Sequence, residues 1–324
     1  MPLTLLQPDA VQIGTDPPYD SADTPFNIVQ CLVNDQFSVA EAISRLATPI
    51  DELTKAGFDA EASDGVYFLQ QTFSALIPQI PHDHTGAARL AEVVAALMTR
   101  PSSLTAEAVE KRKEEYRALG GEDLAPSSES PWQSMLAPEC RYGNVPASEC
   151  IKNSSRDGKD DYNPQFENVP RRLGAGTKEA TDAVTNEWTR HNAFLARLVL
   201  NPDLPHRDTY LGRAFDALVP ALEDVQGRDD LLSADVPAAA VWLLYAGGIL
   251  LETQISAQDL GRLGQKGGTL WQGMGGSEGF SRTRWEFWKS RFGWVEKESE
   301  ANKVAKTLVA KAIERMKAVD EARG

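Results

Sequence analysis

The sequence predicts an all-α protein, a single multi-helix, bundle-like domain that is interrupted by one long irregular insertion. Two observations predict this class. Apolar residues recur at spacings of three and four through most of the 324 residues, and no segment shows the alternation of a half-buried strand. The chain is also long enough to bury a core without disulfides or metals. We therefore expect about nine helices that pack around a common apolar centre.

The N-terminal part of the chain divides into an arm and a helical half. Residues 1–27 are rich in proline and are expected to be irregular. Residues 28–119 contain segments with helical spacing, which begin near Ser38, Asp64, Thr85 and Ser103. Thr85 has a residue type that caps helices, and Pro101 is expected to end the helix that follows it.

The rest of the chain consists of an insertion and a second helical half. Residues 120–176 show no periodicity and are dominated by Gly, Pro, Ser, Asn and Asp, so we expect an irregular loop or insertion. Helical spacing returns over residues 177–324, a half that we expect to pack on the first. Its helices are expected at Thr177–Leu200, Asp208–Asp224 with a break at Pro220, Pro237–Leu251, Ser281–Trp294 and Glu298–Ala322.

Composition and charge argue against several classes of partner. The net charge of −14 argues against nucleic acid and anionic membranes, because binding to either needs exposed Lys and Arg. The longest apolar run, Val236–Leu251, is shorter than the roughly 20 residues that span a bilayer. The N-terminus lacks the features of a secretory signal. We expect a soluble protein of the cytoplasm or nucleus with reduced thiols, and the pairing of Cys140 with Cys150 stays open.

One pair of residues is a candidate for acid–base catalysis. On a helical wheel, Glu187 and His191 fall one turn apart within the apolar stripe of the 177–200 helix. Burial and pairing tune both pKa values, so the pair has the chemistry of a catalytic acid and base. The alternative is a structural pair in which each group satisfies the other. No Ser or Cys nucleophile can be attached to the pair from the sequence.

A glycine-rich run suggests a second candidate site. The run over 267–280 leads into a helix with Ser281 as its expected N-cap, and it matches neither a Walker A motif nor a dinucleotide fingerprint. Arg282 and Arg284 fall in the first helical turn, where the helix dipole disfavours cations. An acidic side chain such as Glu278, or a bound anionic ligand, would compensate. The candidate ligand-binding residues are Arg282, Arg284, Trp271 and Tyr245.

The 237–251 segment is apolar on every side and predicts a central buried helix. Trp242 and Tyr245 are expected to pack in the core, where a buried tyrosine hydroxyl needs a hydrogen-bond partner. Three further aromatic residues share one face of the helix after Ser281 and are also expected in the core, namely Trp285, Trp288 and Phe292.

We predict no metal site and no cofactor. The sequence His82-Asp83-His84 offers two metal ligands without others at a suitable spacing, which favours a loop before the helix at Thr85. The C-terminal helix carries basic residues on one face, and we expect it to dock by its apolar face. A partner helix or nucleic acid is the alternative use of the basic face. Its residues are Lys303, Lys306, Lys311, Arg315 and Lys317.

Four segments follow one another in a familiar order. They read IPHDH at 80–84, W…NAFLAR at 188–197, PAAAVW…YAG at 237–247 and GTLW…GFSRTRWEFWKSRF at 268–292. The chain thereby resembles a large fungal family of proteins of unknown function. The resemblance implies a fungal, intracellular, helical protein and implies no reaction. It also implies an acidic pair within 215–223, a pattern that Val219 and Pro220 interrupt here.

These observations support two main hypotheses about function. The first is a helical interaction or regulatory protein with an unknown protein or small-molecule partner, because no specific catalytic motif is present. The second is an enzyme of fungal secondary metabolism, for example one that forms cyclodipeptides from aminoacyl-tRNA. It would use Glu187 and His191 for acid–base chemistry and Arg282 and Arg284 to hold an anionic group. A third, a nucleic-acid-associated regulator, rests only on the C-terminal basic face.

Overall fold

In the computed structural model, every regular element of the described residues is helical, which confirms the all-α class. The structure describes residues 2–7, 23–57, 59–103, 107, 109–111, 114, 132, 177–224, 229–253 and 267–323. The insertion expected over 120–176 lies outside these residues except for Trp132, so the proposed four-part organisation stays a prediction. The chain divides into two compact units, Met1–Cys140 with Asp203–Pro205, and Arg141–Pro202 with His206–Gly324.

Over the described ranges 23–57 and 59–103, the first unit forms four α-helices and one 3₁₀ turn. They are α1 (Pro25–Val33), α2 (Val39–Ala56), α3 (Asp59–Leu76), the 3₁₀ turn (Ile77–Gln79) and α4 (Thr85–Met98). Helices α1 and α2 pack against each other, and both contact α3 and α4. Helix α1 was not expected, because it begins inside the proline-rich arm. Its start is nevertheless well encoded, since the Thr24 hydroxyl accepts the Asn27 N–H and Pro25 occupies the first turn.

The start of α4 differs by one residue from the expected position. His84, not Thr85, is the N-cap, and its Nδ1 accepts the N–H of Gly86 at 3.0 Å. Thr85 is the first helical residue. The loop expected at His82-Asp83-His84 is confirmed, and it places an imidazole where a hydroxyl or carboxylate usually caps a helix.

Trp132 is anchored in the first unit. Its side chain is fully buried, and its indole Nε1 donates to Asp51 Oδ1 at 3.1 Å. The other carboxylate oxygen of Asp51 accepts from Arg100 Nη2 at 2.6 Å. The tryptophan therefore ties a distant part of the chain to α2.

In the described part of the second unit there are seven α-helices and one turn of π-helix. They are α5 (Lys178–Leu198), α6 (Arg207–Gly212), α7 (Ala214–Leu218), the π turn (Val219–Glu223), α8 (Asp229–Glu252), α9 (Thr269–Gly273), α10 (Arg282–Lys297) and α11 (Lys303–Glu321). Helix α8 packs against α5 on one side and α11 on another. Helix α10 contacts α11 and the π turn.

Helix α8 is the core of this unit, as the sequence predicts. The side chains of Ala238–Leu243 are fully buried. The helix begins at Asp229 rather than at Pro237, so the proline lies inside it. By length and composition, the span Leu232–Glu252 could cross a membrane. However, 72% of its most apolar 18-residue stretch is buried inside the protein. Burial of this kind is typical of a central helix in a globular unit.

Two other predicted helices differ from the structure, one because it is divided and the other because it starts later. The expected break at Pro220 is confirmed, since the π turn follows α7 there. The helix expected over 298–322 starts only at Lys303, because Asn302 caps it by accepting the Ala305 N–H at 2.9 Å. The short helix α9, at the start of the glycine-rich run, was not expected.

Candidate functional site

His191 lies buried on α5, one turn after the half-buried Glu187. Its ring stacks on that of Trp188 with centroids 6.5 Å apart. Burial, and secondly the charge of Arg213, lowers the pKa of His191 to about 4. The imidazole is therefore uncharged at neutral pH.

Asp216, on α7, is a second buried titratable residue near Arg213. Its side chain is 11% exposed, and its Oδ2 accepts from Arg213 Nη1 at 3.3 Å. Burial raises the pKa of Asp216 to about 6, although Arg213 opposes the shift. Sequence reasoning did not select Asp216 or Arg213 as site residues. The only signal was that Asp216 falls in the segment where the resembled family carries acidic residues.

The opposite pKa shifts of His191 and Asp216 predict opposite effects of acid on stability. His191 protonates more readily in the unfolded chain, so its contribution is lost as the pH falls from about 6.5 towards about 4. Asp216 protonates more readily in the folded chain, so its contribution grows as the pH falls from about 6 towards 3.8. Between about pH 7.5 and about pH 4.5 each effect amounts to about 2–3 kcal/mol, and the two largely cancel.

Single substitutions should separate the two effects. Relative to the wild type, we expect Asp216→Asn to lose about 2–3 kcal/mol more of its unfolding free energy on acidification, and His191→Asn to lose that much less. Urea denaturation at several pH values measures both differences. His206→Asn is the matched control, because His206 is exposed. Parallel pH curves for all three variants and the wild type would contradict the prediction.

Arg284 is fully buried and is bound by a carboxylate of the protein itself. Its Nε and Nη2 donate to the two oxygens of Glu223 at 2.6 and 2.7 Å, and its Nη1 donates to the Gly279 carbonyl at 3.1 Å. Glu223, also fully buried, accepts further bonds from Trp288 Nε1 at 2.7 Å and Gly268 N at 2.9 Å. The guanidinium proposed to hold an external anion thus binds an internal one in a bidentate pair.

The glycine-rich run wraps around Trp271. The indole is 2% exposed, donates to the Ser277 carbonyl at 2.8 Å and packs on Phe287 with ring centroids 5.3 Å apart. A Cβ at Gly276 would lie 2.1 Å from the indole, and one at Gly267 would lie 2.3 Å from it. The glycines therefore permit close packing of backbone on an aromatic ring, which explains a run that matches no phosphate-binding motif.

Gly276→Ala should destabilise the second unit. The added methyl group overlaps the buried Trp271 ring, so we expect a loss of about 1–3 kcal/mol in urea denaturation. Gly273→Ala is the matched control, because a Cβ there meets nothing within 4 Å. If the two variants are equally stable, the glycine-rich run can accommodate the methyl group without a loss of unfolding free energy.

The remaining candidate ligand residues are each engaged by a neighbour. Arg282 pairs with Glu286 at 2.7 Å and Asp320 at 2.8 Å while its side chain stays 55% exposed. Tyr245 is half-buried, and the Arg197 guanidinium lies 3.5 Å from its ring centroid.

The compensating charges differ from the one expected. The exposed Glu278 was expected to balance the two arginines, but Glu223 balances Arg284, and Glu286 with Asp320 balances Arg282. The expected N-cap is confirmed, since the Ser281 hydroxyl accepts the Arg284 N–H at 3.1 Å. Burial also confirms the expected core positions of Trp285, Trp288 and Phe292.

Two of the sequence segments that carry the family resemblance meet inside the second unit. The Nε1 of the fully buried Trp242 on α8 donates to Asn192 Oδ1 on α5 at 2.7 Å. Asn192 in turn donates from Nδ2 to the Trp188 carbonyl at 2.9 Å. Polar residues of these segments therefore hold the two helices in register.

The N-terminal arm presents a different arrangement, in which side-chain amides bind backbone. The Oδ1 of Asn34 accepts the N–H of Leu3 at 2.7 Å, and its Nδ2 donates to the Leu3 carbonyl at 2.8 Å. Gln30 accepts the Leu5 N–H at 2.8 Å and donates to the Leu3 carbonyl. Gln79, from the 3₁₀ turn, bonds both the N–H and the carbonyl of Leu6, at 2.6 and 3.0 Å. We call Gln30, Asn34 and Gln79 the arm site.

The C-terminal basic face borders a shallow groove of about 650 Å³ next to the end of α10. Lys303, Lys306 and Lys311 line it together with Glu296 and Glu314, so the charges are mixed. The terminal helix docks by its apolar face as expected, and Leu308 and Met316 are buried, whereas Val304 is 64% exposed. In the described part of the chain, no three His, Cys, Asp or Glu residues are placed to share a metal ion.

Comparison with known proteins adds one match. A family described as “Protein of unknown function (DUF3632)” matches residues 71–292, a range that includes all four segments quoted above. No curated protein and no solved structure matches the chain.

Proposed function

The chain belongs to the DUF3632 family of proteins of unknown function, and we propose that it is a helical interaction protein whose first unit holds an extended segment of polypeptide. The supporting observation is the arm site, where three amide side chains bind the backbone of Leu3, Leu5 and Leu6. Such bonds select an extended chain rather than a particular sequence, which is how many peptide-binding proteins obtain affinity.

The polar side chains that first suggested chemistry are used within the fold. Arg284 is neutralised by Glu223, and the Trp271 indole N–H is bonded to the Ser277 carbonyl. The proposal therefore assigns these residues to stability and the arm site to recognition. It places a soluble protein in the cytoplasm or nucleus of a fungal cell, with a protein partner rather than nucleic acid because the net charge is −14.

Acid–base chemistry is the second candidate function. The observation that favours it is the pKa of about 6 at Asp216, beside Arg213 and near neutral pH, where a general acid or base is effective. This alternative is an enzyme of secondary metabolism in which Asp216 would carry the proton transfer. An aminoacyl-tRNA substrate would have to overcome the negative charge of the protein.

Replacement of the gene in its own organism distinguishes the two functions. We compare the metabolite and growth profiles of a deletion strain with those of strains that carry Gln30→Ala/Asn34→Ala or Asp216→Asn. If the chain is an interaction protein, the arm-site variant should have the profile of the deletion strain, and Asp216→Asn should have the profile of the wild type. Gln36→Ala is the matched control, because Gln36 is an exposed glutamine that follows α1.

The reverse pattern would overturn the proposal. If Asp216→Asn reproduces the deletion while the arm-site variant matches the wild type, the protein acts through acid–base chemistry. Protein levels measured in each strain show whether a profile reflects loss of the chain instead of loss of the site. A deletion profile that is restored by both variants would contradict both functions.

A further inference from the structure

We propose that the arm site is a binding site for an extended, leucine-bearing peptide of another protein, and that the N-terminal arm of this chain occupies it as a competing ligand. This inference rests on the proposed function and names the chemistry of the partner.

The register of the site matches that of an extended peptide. Gln30 lies on α1 and Asn34, four residues later, is the C-cap of that helix, so the two lie on one face with a rise of about 6 Å between them. Alternate residues of an extended chain are about 6.8 Å apart. Asn34 therefore reaches Leu3 while Gln30 reaches Leu5, and the arm runs antiparallel to α1. The fit arises because the helical rise over four residues is similar to the spacing of alternate residues in an extended chain, and it does not depend on which residues the arm carries.

The site forms hydrogen bonds to both edges of the arm. In an extended chain the N–H and carbonyl of odd-numbered residues point to one side and those of even-numbered residues to the other. The backbone of Leu3 and Leu5 bonds to α1, and the backbone of Leu6 bonds to Gln79. Side chains therefore contact both edges of the arm, and they bond to backbone groups that any extended segment without proline at these positions offers.

Burial along the arm shows what the peptide must carry. Leu5 is 4% exposed, whereas Thr4 is exposed and Leu6 is 74% exposed. One apolar side chain at the Leu5 position is therefore the anchor, and the residues at the positions of Thr4 and Leu6 are free to vary. Proline is excluded at the positions of Leu3, Leu5 and Leu6, because each of their N–H groups is bonded.

The arm is a strong competitor because it belongs to the same chain. A tethered ligand has an effective concentration on the order of millimolar at its site. A free peptide of the same sequence therefore binds the intact protein weakly, and its apparent affinity rises by the factor by which the arm is released. A partner that binds in the cell has to exceed the affinity of the arm or bind elsewhere on the protein as well.

The test measures binding of a fluorescent peptide with the sequence of residues 2–7, PLTLLQ, to full-length variants by fluorescence anisotropy. Leu5→Asp releases the buried anchor of the arm, and Leu6→Asp is its matched control at an exposed position. We expect Leu5→Asp to bind the peptide about tenfold or more tightly than the wild type, and Leu6→Asp to behave as the wild type. Adding Gln30→Ala/Asn34→Ala to Leu5→Asp should abolish the gain.

Several outcomes would overturn the inference. These are equal binding by Leu5→Asp and the wild type, binding that survives the loss of Gln30 and Asn34, and equal binding of a peptide with Asp at the anchor position. A wild-type chain that is a dimer in light scattering and a monomer as Leu5→Asp would show arm exchange between copies, which also overturns it.

A second measurement keeps the test valid if Leu5→Asp does not fold. In the wild type, excess peptide should displace the arm and speed hydrogen exchange at the backbone amides of Leu3, Leu5 and Leu6. Unchanged exchange at saturating peptide would exclude competition at the arm site. Failure of the peptide together with a deletion-like profile for the arm-site variant in cells would refute only this partner chemistry. Failure of both would refute the proposed function.

Discussion

Glu223→Gln should lower the free energy of unfolding by about 3–5 kcal/mol, because it leaves the fully buried Arg284 without a counter-charge. The carboxylate accepts four hydrogen bonds, two of them from the guanidinium, and Gln can accept through only one of its terminal atoms. The effect should appear in urea denaturation as a shift of the midpoint with little change in slope.

The surface pair formed by Glu286 and Arg282 is the matched control. Glu286→Gln removes the same charge from an ion pair in which the side chains are 43% and 55% exposed, so we expect a loss of about 0–1 kcal/mol. The double variant Glu223→Gln/Arg284→Met should recover part of the loss, because it removes the unpaired charge as well. If Glu223→Gln and Glu286→Gln lose similar amounts of unfolding free energy, burial does not make the Arg284 ion pair more important for stability than a surface pair.

Trp242→Ala should cost about 3–5 kcal/mol in unfolding free energy. The indole is fully buried at the centre of α8, so its removal leaves a cavity in the core of the second unit. It also removes the donor to Asn192 Oδ1. Thermal denaturation and urea denaturation, both followed by circular dichroism, should show the loss.

Trp294→Ala tests whether the loss reflects position rather than residue type. Trp294 lies on α10, is half-buried and carries the Arg291 guanidinium 4.3 Å from its ring centroid. We expect a loss of about 1–2 kcal/mol there, since less apolar surface is re-exposed. If the two alanine variants are equally stable, α8 is not the centre of the second unit.

The fold class was predictable because helical spacing is repeated over many residues. The expected N-cap at Ser281 and the break at Pro220 were also predictable, since each depends on the chemistry of one side chain within a single turn. The helix that begins at Pro25 was missed because scattered prolines in the preceding residues suggested an irregular arm. The start of α8 was missed because Pro237 reads as a first-turn residue, although the helix passes through it.

The candidate site was predictable only in its residue types. The helical wheel of α5 correctly predicts that His191 is buried, but the charge that lowers its pKa comes from Arg213, beyond the end of that helix. The position of Arg284 in the first turn of α10 correctly predicted that a negative group lies beside it. The nearby Glu278 is exposed, however, and the carboxylate comes from Glu223. Local sequence states what a side chain needs and does not identify which distant residue meets the need.

By itself, the sequence determined the all-α class, the burial of the central helix and the negative charge of the protein, because each follows from composition or from a repeat of a few residues. Only the tertiary structure decided the partners of Arg284, Trp242 and the N-terminal arm. Their hydrogen bonds join residues 61, 50 and up to 73 positions apart in the chain. Contacts of that range depend on how whole helices pack, and helix packing has no signature in the short patterns that define each helix.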